Sequence, residues 1–267
     1  MRYCRILTQL GPRYADVVER QGELWVERIL PPKEEARRLY HVHDIDWYPI
    51  RLKDAHLLAP VEPRKIVCIG RNYRDHAKEL GNEVPAEPLL FLKAPSAVIA
   101  SGGVILLPPH SSRVDFEGEV GVVIGRRASR IGPDEDVRGY IRGYTLVNDV
   151  TARDLQKSDG QWSRAKGFDT FCPMGPFVSD EIDLEAGVTV ETKLNGEVKQ
   201  HGSTRDLIFS VAELLRYITS AMTLEPGDVI PTGTPSGVGP MQAGDTVEVA
   251  VPGLGVLRNP VTAAPAA

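Results

Sequence analysis

The stretch Asp115-Phe116-Glu117-Gly118-Glu119-Val120-Gly121-Val122-Val123-Ile124-Gly125 constrains this chain more than any other. Read with a period of two, it places Phe116, Val120, Val122 and Ile124 on one side of a strand and Asp115, Glu117 and Glu119 on the other. Along a strand Glu117 and Glu119 lie about 6.6 Å apart. Two ionised carboxylates at that spacing repel by roughly 2–3 kcal/mol at an effective dielectric near 20. A divalent cation between them removes that repulsion. Glycine at 118 and 121 leaves space beside the acids, as strands do where a ligand or ion approaches the backbone. The competing reading is an edge strand with a solvated acidic face.

Composition narrows the partners. The chain has 267 residues, room for one large domain with a small appendage, and no apolar run near the roughly 20 residues of a membrane span. Its N-terminus lacks the basic-then-apolar layout of a signal peptide, so the expectation is a cytoplasmic protein. A net charge of −5 without a basic run argues against nucleic acid, and against a membrane surface, as the main partner. An anionic substrate therefore needs a local positive site, a metal ion or a few Arg and Lys residues. The three cysteines, Cys4, Cys68 and Cys172, are widely separated and show no metal or disulfide spacing; they read as buried thiols.

Residues 1–58 contain short strand-like pieces and read as a small β-rich N-terminal domain, residues 59–260 as the main domain, and 261–267 as a flexible tail. His41 and His43 form an H-x-H pair with only Asp44 and Asp46 beside it, a weak case for a metal site. After the apolar strand Ile66 to Ile69 comes Gly70-Arg71-Asn72-Tyr73-Arg74-Asp75-His76-Ala77-Lys78-Glu79-Leu80-Gly81, in which Asn72 can cap a short helix ended by Gly81. His76 and Glu79, three apart, then share a helix face, and a carboxylate beside an imidazole is the arrangement of a general base; an ordinary surface pair has the same spacing. The G-x-G-x-x-G spacing of a dinucleotide fold is absent.

The strand Tyr140 to Val147 ends in Asn148-Asp149-Val150-Thr151-Ala152-Arg153-Asp154, where Thr151 and Asp154 have the spacing of a capping box and Asp149 stands at a strand-to-helix junction as a third oxygen ligand or a plain turn aspartate. Asn195-Gly196 marks a hairpin, and Ser210 with Glu213 opens another helix. Lys166 lies in a loop-like segment and by itself says little. Thr232 to Gly239 is a glycine-rich loop whose N–H groups and Thr234 hydroxyl could hold a carboxylate, or a plain tight turn.

Taken in order, Ile69-Gly70-Arg71-Asn72-Tyr73 with His76, Asp115-Phe116-Glu117-Gly118-Glu119, Asn148-Asp149-Val150-Thr151-Ala152-Arg153-Asp154, Ala165-Lys166-Gly167-Phe168 and Gly233-Thr234-Pro235-Ser236-Gly237-Val238-Gly239 resemble the fumarylacetoacetate hydrolase family over about residues 60–260. The resemblance implies an α+β, β-rich fold, a roll of mixed sheets with a small N-terminal β domain, and a homodimer. It also implies Mg²⁺ or Mn²⁺ held by Glu117, Glu119 and Asp149, oxygen ligands that suit such an ion. Lys166 would contact the substrate's keto oxygen or leaving carbanion, His76 and Glu79 would form a dyad on a lid, and Arg153, Gln156 and Thr234 would meet the substrate carboxylate. Family members often carry serine after the motif lysine, where this chain has Gly167.

A 2-oxo acid chelating such a metal through its carboxylate and keto oxygens can pass through an enolate. Hydrolysis of a C–C bond in an acylpyruvate-like substrate, decarboxylation and isomerisation then all become available. The expectation leans to a metal-dependent C–C hydrolase of small 2-oxo or β-diketo acids. The alternatives are a 2-hydroxyhepta-2,4-diene-1,7-dioate isomerase, an oxaloacetate decarboxylase or tautomerase, and a metal-binding member without catalysis, which the intact acids, Lys166 and His76 dyad argue against.

Overall fold

The computed structural model describes residues 1–30, 47–79, 81 and 83–265; the His41 and His43 pair lies outside the described residues. The N-terminal strands are β1 (Arg2–Thr8), β2 (Gly11–Arg20), β3 (Glu23–Ile29), β4 (Ile50–Arg51) and β5 (Leu57–Leu58). Next come β6 (Ile66–Gly70), helix α1 (Arg74–Glu79), β7 (Leu89–Lys93), β8 (Val98–Ala100) and β9 (Ile105–Leu107). The acidic stretch supplies β10 (Val114–Phe116) and β11 (Gly118–Ile124), followed by β12 (Ile141–Asn148), β13 (Thr151–Ala152), α2 (Arg153–Asp159) and α3 (Ser163–Gly167). The chain ends with β14 (Cys172–Ser179), β15 (Thr189–Leu194), β16 (Glu197–Ser203), α4 (Val211–Ala221), β17 (Val229–Pro231), β18 (Gly239–Pro240), β19 (Thr246–Val251) and β20 (Gly255–Ala263).

These strands form a mixed-sheet β-roll of the α+β, β-rich kind. One sheet runs β4-β3-β2-β1-β14-β12-β11-β17-β6-β7, a second runs β16-β15-β19-β20-β9, and a third joins β13, β10 and β18. Most neighbours are antiparallel, but β17 with β6, β14 with β8 and β20 with β9 are parallel. The N-terminal strands keep an apolar cluster of their own, built from Cys4, Ile6, Ala15, Val17, Val26 and Leu52. They are nonetheless continuous with the main sheet, because β1 pairs with β14 at Arg2–Ser179 and Tyr3–Val178, and Phe177 closes their cluster.

Strand β11 lies between β12 and β17 and is buried along its whole length, so its acids are not the solvated face of an edge strand. The single apolar face expected from alternation is corrected in one respect. The chain breaks at Glu117, β10 leaves for the small sheet, and Phe116 joins the core cluster that contains Val123, while Val120, Val122 and Ile124 face the cluster on the other side. Gly118 marks the break: a Cβ there would stand 2.1 Å from Thr192 Oγ1 and 3.1 Å from Val249 Cγ1, so only glycine lets the second sheet close on β11.

Local signals held in some places and gave way in others. Asn195 and Gly196 turn the β15–β16 hairpin with φ of 53° and 82°, the type I′ pattern. Ser210 and Glu213 form the capping box of α4, whose Val211, Leu214, Leu215 and Ile218 enter the core. Thr151, by contrast, is a strand residue paired with Asp115, and its hydroxyl donates to Asp149 O. Helix α2 therefore starts after Ala152 without a side-chain cap. Asp154 instead accepts from Ser111 Oγ and Ser112 N. Asn72 does not cap α1 either: its Oδ1 accepts from Phe209 N at 2.8 Å and its Nδ2 donates to Thr232 O at 2.8 Å, tying two loops together. Val261 to Ala263, expected in the flexible tail, instead pair with β9. No helix among the described residues is long and apolar enough to cross a membrane.

Two stability predictions follow from this packing. Gly118→Ala should cost about 2 kcal/mol through overpacking, more than the roughly 1 kcal/mol expected for loss of the Ser210 cap, as read from urea midpoints of the two variants. Burial opposes ionisation of Asp154, but the hydrogen bonds from Ser111 and Ser112 outweigh it and hold the carboxyl at about 2 against an ordinary 3.8. A depressed folded-state value contributes stability above the unfolded value and loses it as pH falls toward the folded one. The stability gap between the parent protein and Asp154→Asn should therefore narrow between about pH 4 and pH 2.

Candidate active site

The antiparallel register of β11 and β12 brings the acids together. Gly118 pairs with Asn148, Asp149 N donates to Glu117 O at 2.8 Å, and Asn148 Oδ1 accepts from Glu117 N at 2.9 Å. Glu117 at the strand break and Asp149 just past the end of β12 thus stand side by side, with Glu119 one pleat further on. One carboxylate oxygen from each of the three lies within 4.8 Å of the others, and all three residues are buried. Oxygens around one ion at about 2.1 Å lie roughly 3–4 Å apart, so small side-chain adjustments let this set hold one hard divalent cation.

The charge balance fits that use. Burial, with Asp149 and Glu117 beside it, pushes the Glu119 carboxyl well above the usual range. Its hydrogen-bond donor is the backbone N–H of Gly233, to Oε2 at 2.8 Å, and it makes no ion pair among the described residues. A cation at the cluster would supply a countercharge for it. Gly233 reaches Glu119 with φ of +102°, and a Cβ there would meet Asn72 Cβ at 2.8 Å, so glycine is required twice over.

Basic groups satisfy the other two acids. Lys166 Nζ donates to Glu117 Oε2 at 2.8 Å and Asp149 Oδ2 at 2.6 Å, and Lys93 Nζ donates to Asp149 Oδ1 at 2.7 Å. Arg153 Nη2 donates to Glu117 Oε1 at 2.6 Å. Burial disfavours the charged form of Glu117, yet Lys166 and Arg153 outweigh it and hold this carboxyl far below the usual range. For Lys166 burial likewise works against the charge, and Asp149 and Glu117 outweigh it, so the ammonium stays protonated.

These groups line a cavity of about 380 Å³, at the small end of ligand sites. His76, Glu117, Glu119, Asp149, Arg153, Gln156, Lys166 and Thr234 are on its wall. Glu79 stands behind His76, with Oε2 3.1 Å from His76 Nδ1 and Oε1 accepting from Gly237 N at 2.9 Å, which docks α1 on the glycine-rich loop. Two of the expected carboxylate contacts are committed within the protein. All three nitrogens of the Arg153 guanidinium are engaged, by Asp115, Glu117 and Gln156 Oε1, and the Thr234 hydroxyl donates to Gly118 O while accepting from Gln200 Nε2. Gln156 accepts through Oε1, and its amide N–H groups have no partner among the described residues. At Gly167 an added Cβ would meet Ala94 Cβ at 3.9 Å, an ordinary contact, so the position has room for a Cβ where the resembling family often has serine.

Sequence reasoning gave no role in the site to three residues. Lys93 closes the apolar run Leu89 to Leu92 and is fully buried, also donating to Val150 O at 3.1 Å; a lysine at the inner end of an apolar strand was the available signal. Asp115 braces Arg153, with a second pair from Arg113. Arg71 lines the cavity with φ of +57°, a conformation that non-glycine residues adopt rarely and often at functional positions.

With this geometry in place, likeness to known proteins becomes informative. Residues 65–262 match the fumarylacetoacetate (FAA) hydrolase C-terminal family. The oxaloacetate tautomerase YisK of Bacillus subtilis is 43% identical over 224 residues, 79% of this chain and 74% of that protein. The mitochondrial oxaloacetate decarboxylase of Dictyostelium discoideum is 46% identical over 200 residues, 72% of this chain and 90% of that protein. Among solved structures, 2-hydroxyhepta-2,4-diene-1,7-dioate isomerase of Mycobacterium marinum matches over 100% of both chains with a TM-score of 0.86 and 40% identity. These relatives accord with the tautomerase, decarboxylase and isomerase alternatives rather than with the lean to C–C hydrolysis. On the family match, which spans most of the sequence, and on relatives alike across most of their own length, this chain is a member of the fumarylacetoacetate hydrolase family.

Proposed function

We propose that the protein is a divalent-cation-dependent enzyme of small 2-oxo acids, holding Mg²⁺ or Mn²⁺ at Glu117, Glu119 and Asp149, and that its principal reaction is keto–enol tautomerisation of oxaloacetate. One observation carries the reading: His76, backed by Glu79, and a cluster of three buried acids share one small cavity whose wall also carries Arg71, Arg153, Lys157 and Lys166. The basic wall suits a dianion, and two relatives are named for activities on oxaloacetate. The family resemblance also supports a homodimer.

When bound, the cation supplies a Lewis acid for the keto oxygen and carboxylate of the substrate. The remaining work falls to side chains. Glu79 engages His76 Nδ1 and so leaves Nε2 as the nitrogen that takes a proton from carbon 3 and returns it at the enol oxygen. The same carboxylate stabilises the imidazolium while it carries that proton. Lys166 sets its ammonium against the negative charge developing on the substrate oxygen. Gln156 offers amide N–H donors to a carboxylate, and Arg71 and Lys157 give the second carboxylate a positive wall. Decarboxylation is the second reading, supported by the name of the Dictyostelium relative: loss of CO₂ reaches an enolate of the same kind.

The test is stopped-flow absorbance of oxaloacetate enol, with pyruvate measured separately by a coupled assay. Enol–keto exchange should be accelerated with Mg²⁺, lost with chelator and restored by excess Mg²⁺. His76→Ala should lower kcat by about 10²–10⁴-fold with little change in KM. Pyruvate release faster than enol exchange would move the assignment to decarboxylase, and faster cleavage of acetylpyruvate would return it to C–C hydrolase.

A further inference from the structure

Every oxygen of Glu117 and Asp149 already has a basic partner, so a cation arriving at the three acids must share or take one of those positions. The partners differ in how firmly they are held. Lys93 is fully buried and tied to Val150 O as well as Asp149 Oδ1. Arg153 is tied at once to Asp115, Glu117 and Gln156. Among the described residues Lys166 Nζ donates to Glu117 and Asp149 alone, and it already lies 4.8 Å from the centroid of the Phe91 ring on the cavity wall, a contact it can keep on leaving the acids. In its present seat Nζ stands between Glu117 Oε2 and Asp149 Oδ2, bridging two of the three acids as a divalent cation would.

We propose that Lys166 is a built-in counter-ion which the metal displaces, so that loading the site and releasing the Lys166 ammonium into the cavity are one event. The inference rests on the metal reading given above. It accounts for how three buried acids stay together before loading, since Lys166 holds two of them and removes most of their mutual repulsion. It also makes activation automatic. Two of the three Lys166 N–H donors go to the acids, so leaving its place between them frees two further donors for a substrate oxygen.

Mn²⁺ binding by calorimetry and by electron paramagnetic resonance tests the idea on the full chain, alongside the crystal structure of the Mn²⁺-loaded protein. Lys166→Met removes the competitor and should tighten Mn²⁺ binding by about tenfold or more, because a neighbouring positive charge is lost at close range. In the loaded parent protein Nζ should no longer bridge Glu117 Oε2 and Asp149 Oδ2, and it should keep its contact with the Phe91 face. Equal or weaker binding by Lys166→Met, with parent binding intact, overturns the displacement alone. So does a loaded parent structure in which Nζ still bridges both acids, and that measurement stands even where the variant does not fold. Absence of Mn²⁺ binding by the parent protein overturns the metal reading and the displacement with it.

Discussion

The structure depends on keeping Glu117, Glu119 and Asp149 buried side by side at the end of the β11–β12 ladder. Removing carboxylates from water costs several kcal/mol per ion, and a group of three adds repulsion to that cost. Lys93, Lys166 and Arg153 offset it from three directions, coming from the end of β7, from α3 and from the start of α2. Each of these elements can be understood through the charge it must deliver. Strand β7 closes the main sheet and ends on Lys93. The small sheet of β10 and β13 places Arg153 directly behind Glu117, with Asp115 fixing the far side of the guanidinium.

The two-sheet architecture makes such a cluster possible. A continuous edge strand would have solvated the acids, and a continuous central strand would have buried Glu117 against a neighbouring ladder with no cation near it. The break at Glu117 does neither. It sends β10 to one sheet and β11 to another, and the gap between them admits Arg153 and Lys166 to the acids. Gly118 is the steric condition for this break, because the second sheet, through Thr192 and Val249, packs where a Cβ would stand.

Where the sequence could be read, it was read through chemistry that stays local. The hairpin at Asn195-Gly196 and the capping box at Ser210 are short-range patterns, and the fold keeps both. Thr151 with Asp154 has the same capping-box spacing, but pairing of Thr151 with Asp115 supersedes it. Asn72 has the residue type of a cap, yet its amide bridges to Thr232 and Phe209, some 160 and 137 positions away. Alternation located the acids but could not show the break at Glu117, which arises from a sheet the local pattern does not encode. Lys93 stayed hidden for the same reason: nothing within β7 says that an aspartate 56 positions on will stand against its ammonium. The cluster as a whole was legible only because several motifs were taken together with a family resemblance.

The same electrostatics bear on which reaction the cavity favours. Among the described residues that line it, the carboxylates of Glu117 and Asp149 are paired with basic groups and Glu119 is turned to Gly233, which is why the proposed mechanism uses His76 as the base. Hydrolysis of a C–C bond asks that base to activate a water held against a carbonyl, and then asks for a proton at the departing carbon. Tautomerisation asks less: one base lifts a proton from carbon and gives it back at oxygen of the same molecule, with no second reactant to orient. A site with one imidazole, steadied by a carboxylate that is itself pinned to Gly237 N, meets the smaller demand with a single base. That economy, more than any single contact, favours the proposed proton transfer within one substrate over C–C hydrolysis.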